Sequence, residues 1–114
     1  MKTQSLENKT GQIRRLNDEL RSTFCDGTIV ITSGVAALDP AIRSELLAAV
    51  RRFDAFSSDN DPYGEHDFGA IEIGGQTFFF KIDYYDCSLT FHSPDAADPA
   101  VTTRVLTVMR ADEY

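Results

Sequence analysis

Two adjacent glycines, Gly74 and Gly75, constrain this chain most, because a run that reads as β-strand flanks them on each side. Phe68 to Ile73 and Gln76 to Tyr84 are rich in aromatic and β-branched residues, and a two-residue Gly turn joins such runs into a hairpin. A type I′ turn centred on the glycines pairs Ile73 with Gln76, Ile71 with Phe78 and Gly69 with Phe80. Ile71, Ile73, Phe78, Phe80 and Ile82 then share one face, which is the candidate core. Continued outward, the same register pairs Phe68 with Lys81 and His66 with Asp83 on the opposite face.

Helical periodicity accounts for most of the rest. Ile13, Leu16, Leu20 and Phe24 recur at helical spacing between Gln12 and Phe24, with charged residues on the remaining faces. Asp26-Gly27 breaks that helix, and Thr28 to Thr32 is a β-branched run that predicts a strand. Asp39-Pro40 starts a second helix: the Asp carboxylate accepts free backbone N–H groups and Pro has none to leave unpaired. Ile42, Leu46, Ala49, Val50 and Phe53 form its apolar stripe. Asp98-Pro99 repeats the start signal, and Val101, Val105, Val108 and Met109 predict a third helix ending near Ala111. Ser57 to Gly64 and Ser93 to Pro99 are loops by their turn residues.

With 114 residues and no internal repeat or linker, the chain is expected to form one domain over 1–114, Met1 to Gly11 being a frayed start. That start lacks the apolar core of a secretory signal, and no apolar run reaches the length of a membrane span, so a cytoplasmic protein is expected. Cys25 and Cys87 show no CxxC spacing and are expected to be free, buried or half-buried thiols.

The charge is uneven. Between Asp54 and Asp98 one basic residue, Lys81, stands against ten acidic ones, whereas the chain as a whole carries −7. Such a segment repels nucleic-acid phosphates and favours a protein partner with a basic surface. Arg14, Arg15, Arg51 and Arg52 lie on helices beside acids, so direct nucleic-acid binding is not expected.

The hairpin register gathers the best candidate site. His66, Lys81 and Asp83 share the face opposite the core, beside a loop carrying Asp59, Asp61, Tyr63, Glu65 and Asp67. Tyr85 and Asp86 close the second strand. A His beside a carboxylate has its tautomer fixed and its basicity raised, which suits acid–base work, ligand binding or a recognition surface. The alternative is a polar network pinning the loop to the hairpin.

Metal and enzyme signatures are weak. Asp59, Asp61 and Gly64 match three positions of a calcium loop, but Ala70 stands where a bidentate Glu is needed. His66, His92, Cys25 and Cys87 lack zinc spacing. There is no phosphate loop, GxGxxG or GxSxG, so neither a cofactor nor a metal is expected.

The run Asn60 to Gly69 (NDPYGEHDFG), followed by Lys81 to Asp86 (KIDYYD), resembles a family of small bacterial proteins of unknown function. Arg104 to Met109 and the final Glu113-Tyr114 are similar to that family's end. Phe80 departs from it, since members often carry Trp there. The resemblance implies accessory genes of plasmids and phages.

The resulting expectation is an α+β domain, a small antiparallel sheet built round the Gly-Gly hairpin with about three helices on one face. Its expected function is that of a non-catalytic acidic protein-binding module, in one version an inhibitor of a nucleic-acid-binding host-defence complex of the anti-CRISPR or anti-restriction kind. The expected partner-binding residues are Asp59, Asp61, Tyr63, Glu65, His66, Asp67, Lys81, Asp83, Tyr85 and Asp86, and a homo-oligomer is compatible with them. The alternative is a small enzyme or small-ligand binder with a pocket of His66, Asp83 and Glu65.

Overall fold

The computed structural model describes residues 6–114. Helix α1 spans Leu6–Thr23, strand β1 Thr28–Ile31, the short helix α2 Ser33–Ala36 and helix α3 Pro40–Arg51. Strands β2 (Phe68–Ile73), β3 (Gln76–Tyr85) and β4 (Thr103–Arg110) complete the sheet, with 3-10 turns at Pro99–Val101 and Ala111–Glu113. The fold is α+β, with strand order β1-β4-β3-β2. Helix α1 begins six residues before the expected Gln12, so Leu6 to Gly11 belong to it, and the remainder of the expected frayed start lies outside the described residues.

Gly74 and Gly75 connect β2 to β3 with φ of 57° and 80°, the left-handed values that glycine adopts without steric penalty. The expected register holds from Ile73↔Gln76 to Phe68↔Lys81. Gly69 is required for another reason: a Cβ there would lie 2.4 Å from the Phe80 ring and 2.9 Å from Phe53.

Two expectations fail together. The stretch expected as a third helix is mostly β4, which lies between β1 and β3. Thr103, Val105, Thr107 and Val108 are β-branched, and Arg104, Leu106 and Val108 alternate onto one buried face, so period two outweighs the i, i+4 stripe. β4 runs parallel to β1 and antiparallel to β3, so the sheet is mixed rather than antiparallel. Three α-helices are present among the described residues, but α2 replaces the expected C-terminal one.

All three helices contribute to one side. Leu20, Val35, Leu46 and Val50 pack with Ile71, Phe78, Phe80, Ile82, Leu106 and Val108 into one core. Asp39 caps α3 by accepting from Ala41 N at 3.3 Å, with Pro40 at the first helical position, as its sequence dictates. The other face of the sheet bears Phe68, Phe79, Lys81, Asp83, Tyr85, Thr107 and the buried Met109; among the described residues the C-terminal turn and Tyr114 pack on part of it, and no α-helix residue on that side joins the core.

Candidate functional site

His66 does not meet Asp83. The ladder continues to Asp67, whose carbonyl accepts from Ile82 N at 2.9 Å, and His66 then adopts φ 58°, which carries its side chain to the helix side. There its ring stacks on Phe56, centroids 3.9 Å apart and planes 4° from parallel. Nδ1 lies 2.8 Å from Asp18 Oδ1 of α1, and Nε2 lies 3.6 Å from Asp61 Oδ2. Asp61 also accepts from His66 N at 3.1 Å, while Asp18 accepts from Arg21 at 3.0 Å. The imidazole is thus sandwiched between two carboxylates and an aromatic face, its side chain 24% exposed.

A second polar chain runs beside it. The Tyr84 hydroxyl donates to Glu65 Oε1 at 2.7 Å and accepts from Asn17 Nδ2 at 2.8 Å. Asn17 Nδ2 also donates to the Glu65 carbonyl, and Asn17 Oδ1 accepts from Arg104 Nε at 2.9 Å. Arg104 reaches the Ala96 carbonyl and lies over the Tyr84 ring at 5.2 Å. Burial pushes the Tyr84 hydroxyl well above its ordinary range, with the Glu65 bond adding to the effect. Burial likewise lowers the Arg104 guanidinium, which is 5% exposed. Asp67 is raised by burial and then by the nearby Glu65 charge.

The remaining expected residues are dispersed. Lys81 and Asp83 form an ion pair at 3.0 Å on the open face, and the bond to Asp83 raises Lys81. They line a cleft of about 450 Å³ with Thr32, Thr107, Met109, Glu113 and Tyr114. A second cleft of about 350 Å³ lies between α1, the Cys25-Asp26 turn and Pro99. His66 lines neither. Asp59 is exposed, Tyr63 is 80% exposed, and Tyr85 is half-buried at the end of β3. Asp86 binds its own turn, and Thr90 N–H followed by the Ser88 hydroxyl holds its carboxyl below the usual range. The pocket expected from His66, Asp83 and Glu65 is therefore not assembled: Asp83 is on the open face and the other two are on the helix side.

Among the described residues no group of three or more His, Cys, Asp or Glu is placed to hold a metal ion, and no helix is long and apolar enough to cross a membrane. Cys25 and Cys87 are free, and both are exposed rather than buried.

The Asn60 to Gly69 and Lys81 to Asp86 runs are thus two halves of one scaffold, the first clasped by α1 and the second carrying the open face. A family profile covers both. The chain belongs to the DUF3768 family of proteins of unknown function, matched over residues 31–113. The DUF3768 match begins after α1, so Asn17, Asp18 and Arg21 lie before it while His66, Tyr84 and Arg104 lie within it. No curated protein and no solved structure matches the chain.

Sequence reasoning missed Asn17, Asp18, Arg21, Phe56 and Arg104. One signal was present: Asn17 sits at i+4 from Ile13 and i−3 from Leu20, so a polar amide occupies the apolar stripe of α1 and is fully buried there.

Proposed function

We propose that this chain is a non-catalytic protein-binding module that presents the open face of its sheet to a partner with a basic surface. The observation that supports this reading most is the sheet's asymmetry. On the side opposite the core Tyr114 packs edge to face on Phe68 and Phe79 at 5.8 and 5.6 Å between centroids, the two phenylalanines lie tilted against each other at 5.1 Å, and Tyr114 remains largely exposed. Val30 and Glu72 are exposed on the same side, where the Lys81–Asp83 ion pair also lies. Aromatic groups amid acids, on a chain of charge −7, favour a partner of opposite sign.

The polar residues under the helices support the same reading by their commitments. Glu65, Tyr84, Asn17 and Arg104 are bonded to one another and His66 is bonded to Asp18, so the two sets act as a clasp that holds α1 against the β2 entrance. Asp61, Glu65, Asp83, Asp86, Asp95 and Asp98 are similarly engaged within the fold. The acidic segment thus works through net charge and a few open-face groups rather than through a continuous array. An inhibitor that occupies a basic nucleic-acid-binding surface is the version of this reading that the charge favours.

The test compares three tagged proteins in capture of partners at low and high salt. Phe79→Ala/Asp83→Asn should lose the partner that wild type retains at low salt, whereas Asp59→Asn/Tyr63→Ala should keep it. A partner held equally by all three, and insensitive to salt, would overturn the reading.

A further inference from the structure

Beyond Tyr85 the chain leaves the sheet in a loop that is unusually well tied. Asp86 N donates to the Phe91 carbonyl at 2.8 Å, Leu89 N to the Asp86 carbonyl at 3.0 Å, and Ser93 N to the Tyr84 carbonyl at 3.0 Å. Tyr85 and His92 form an isolated antiparallel bridge at the base. Asp86 Oδ1 accepts from the Ser88 hydroxyl at 2.9 Å, Thr90 N at 3.0 Å and Phe91 N at 3.4 Å. The backbone therefore has a defined path, and it displays two large apolar side chains: Leu89 is 56% exposed and Phe91 70%.

Neither side chain belongs to the apolar core or packs on it. Apolar surface left in water forgoes the stabilisation of burial, and Leu89 holds φ 59°, a region that L side chains rarely adopt. Single exposed apolar residues are ordinary, but two within three positions at a hydrogen-bonded loop are the arrangement of an interface anchor. A path fixed before contact also lowers the ordering penalty of binding.

We propose that Leu89 and Phe91 form a preorganised apolar anchor that inserts into an apolar socket with a basic rim on the partner protein. This rests on the open-face reading and deepens it, because the loop continues β3 directly from Tyr85, a residue of that face. The basic rim follows from charge: the Asp86 carboxylate at the base of the loop has no cation paired to it among the described residues, and its hydrogen bonds keep it ionised. The same carboxylate, with the chain's net −7, disfavours insertion into an anionic bilayer.

The experiment places the photo-crosslinking residue p-benzoylphenylalanine at Phe91 in one full-length protein and at Phe79 in another, with irradiation in the native host. The expected result is one protein adduct of the same mass from both positions. Excess wild type should compete it away, and Leu89→Gly/Phe91→Ser should compete about tenfold more weakly or worse. Glycine suits the backbone at Leu89, so this variant should keep the wild-type unfolding midpoint or exceed it, which separates a lost contact from a lost fold. An adduct from Phe79 without one from Phe91 would overturn the anchor and leave the open-face reading standing. Lipid adducts alone at Phe91 would overturn it in favour of a membrane contact, and absence of adducts from both positions would overturn both.

Discussion

Strand β3 serves two environments with alternate residues, and they use the same chemistry differently. Phe78, Phe80, Ile82 and Tyr84 face the helices, where the phenylalanines are fully buried and Tyr84 is bonded to Asn17 and Glu65. Phe79, Lys81, Asp83 and Tyr85 face the opposite side, where the aromatic contacts are partly wet and the Lys81–Asp83 pair is half-exposed. An exposed ion pair of that kind contributes roughly 0–1 kcal/mol. Burial therefore fixes one face and leaves side chains of the other half-exposed, where their replacement costs folding less.

The largest contrast should come from truncating neighbours. Phe80→Ala should cost about 3–5 kcal/mol in urea unfolding, because it empties a packed site touched by Phe53 and Phe56. Phe79→Ala, one residue away, should cost about 1 kcal/mol. Equal losses would break the comparison and mean that something covers the open face in solution. A smaller contrast is expected among polar groups. Asn17→Ala should cost about 1–3 kcal/mol by leaving Arg104 Nε and the Tyr84 hydroxyl short of a buried partner. Lys81→Ala should stay within about 0.5 kcal/mol. Gly69→Ala, which presses a methyl into the Phe80 ring, should fall in the range of about 1–3 kcal/mol.

The hairpin and α3 were legible because local chemistry decided them: two glycines set the register, and Asp39-Pro40 set a helix start. β4 was not, because Val101, Val105 and Val108 satisfy a helical stripe while their β-branched neighbours satisfy a strand, and only pairing with both β1 and β3 resolves the ambiguity. The candidate site failed at one bond. The register holds to Phe68↔Lys81, and the positive φ at His66, a rare value for a non-glycine residue, sends the imidazole to the other side. Its true partner, Asp18, is separated by 48 residues, a relation that no local pattern encodes.

The finest comparison sets a carboxyl of the C-terminal turn against one at the β2 entrance, since the fold moves their acidities in opposite directions. Glu113 accepts from the Thr32 hydroxyl at 2.6 Å, from Arg110 N at 2.8 Å and from Gly34 N at 2.9 Å, clasping the C-terminal turn to the start of α2. These bonds, the Thr32 hydroxyl first, hold it below its ordinary range, so its contribution is present above the unfolded value and is lost as pH falls through the folded one. Glu113→Gln should therefore be less stable than wild type near neutrality, with a deficit that shrinks on acidification. Asp67 is raised, by burial and then by Glu65, so its ionised form opposes folding near neutrality and that opposition fades as the carboxyl protonates. Asp67→Asn should be more stable than wild type near neutrality, with an advantage that also shrinks toward acid. Thermal unfolding of the three proteins from neutral pH down through the carboxylate range checks both signs at once. Curves displaced in the same direction would mean that the Glu113 clasp does not hold in solution, or that Asp67 is better solvated than its place at the β2 entrance implies.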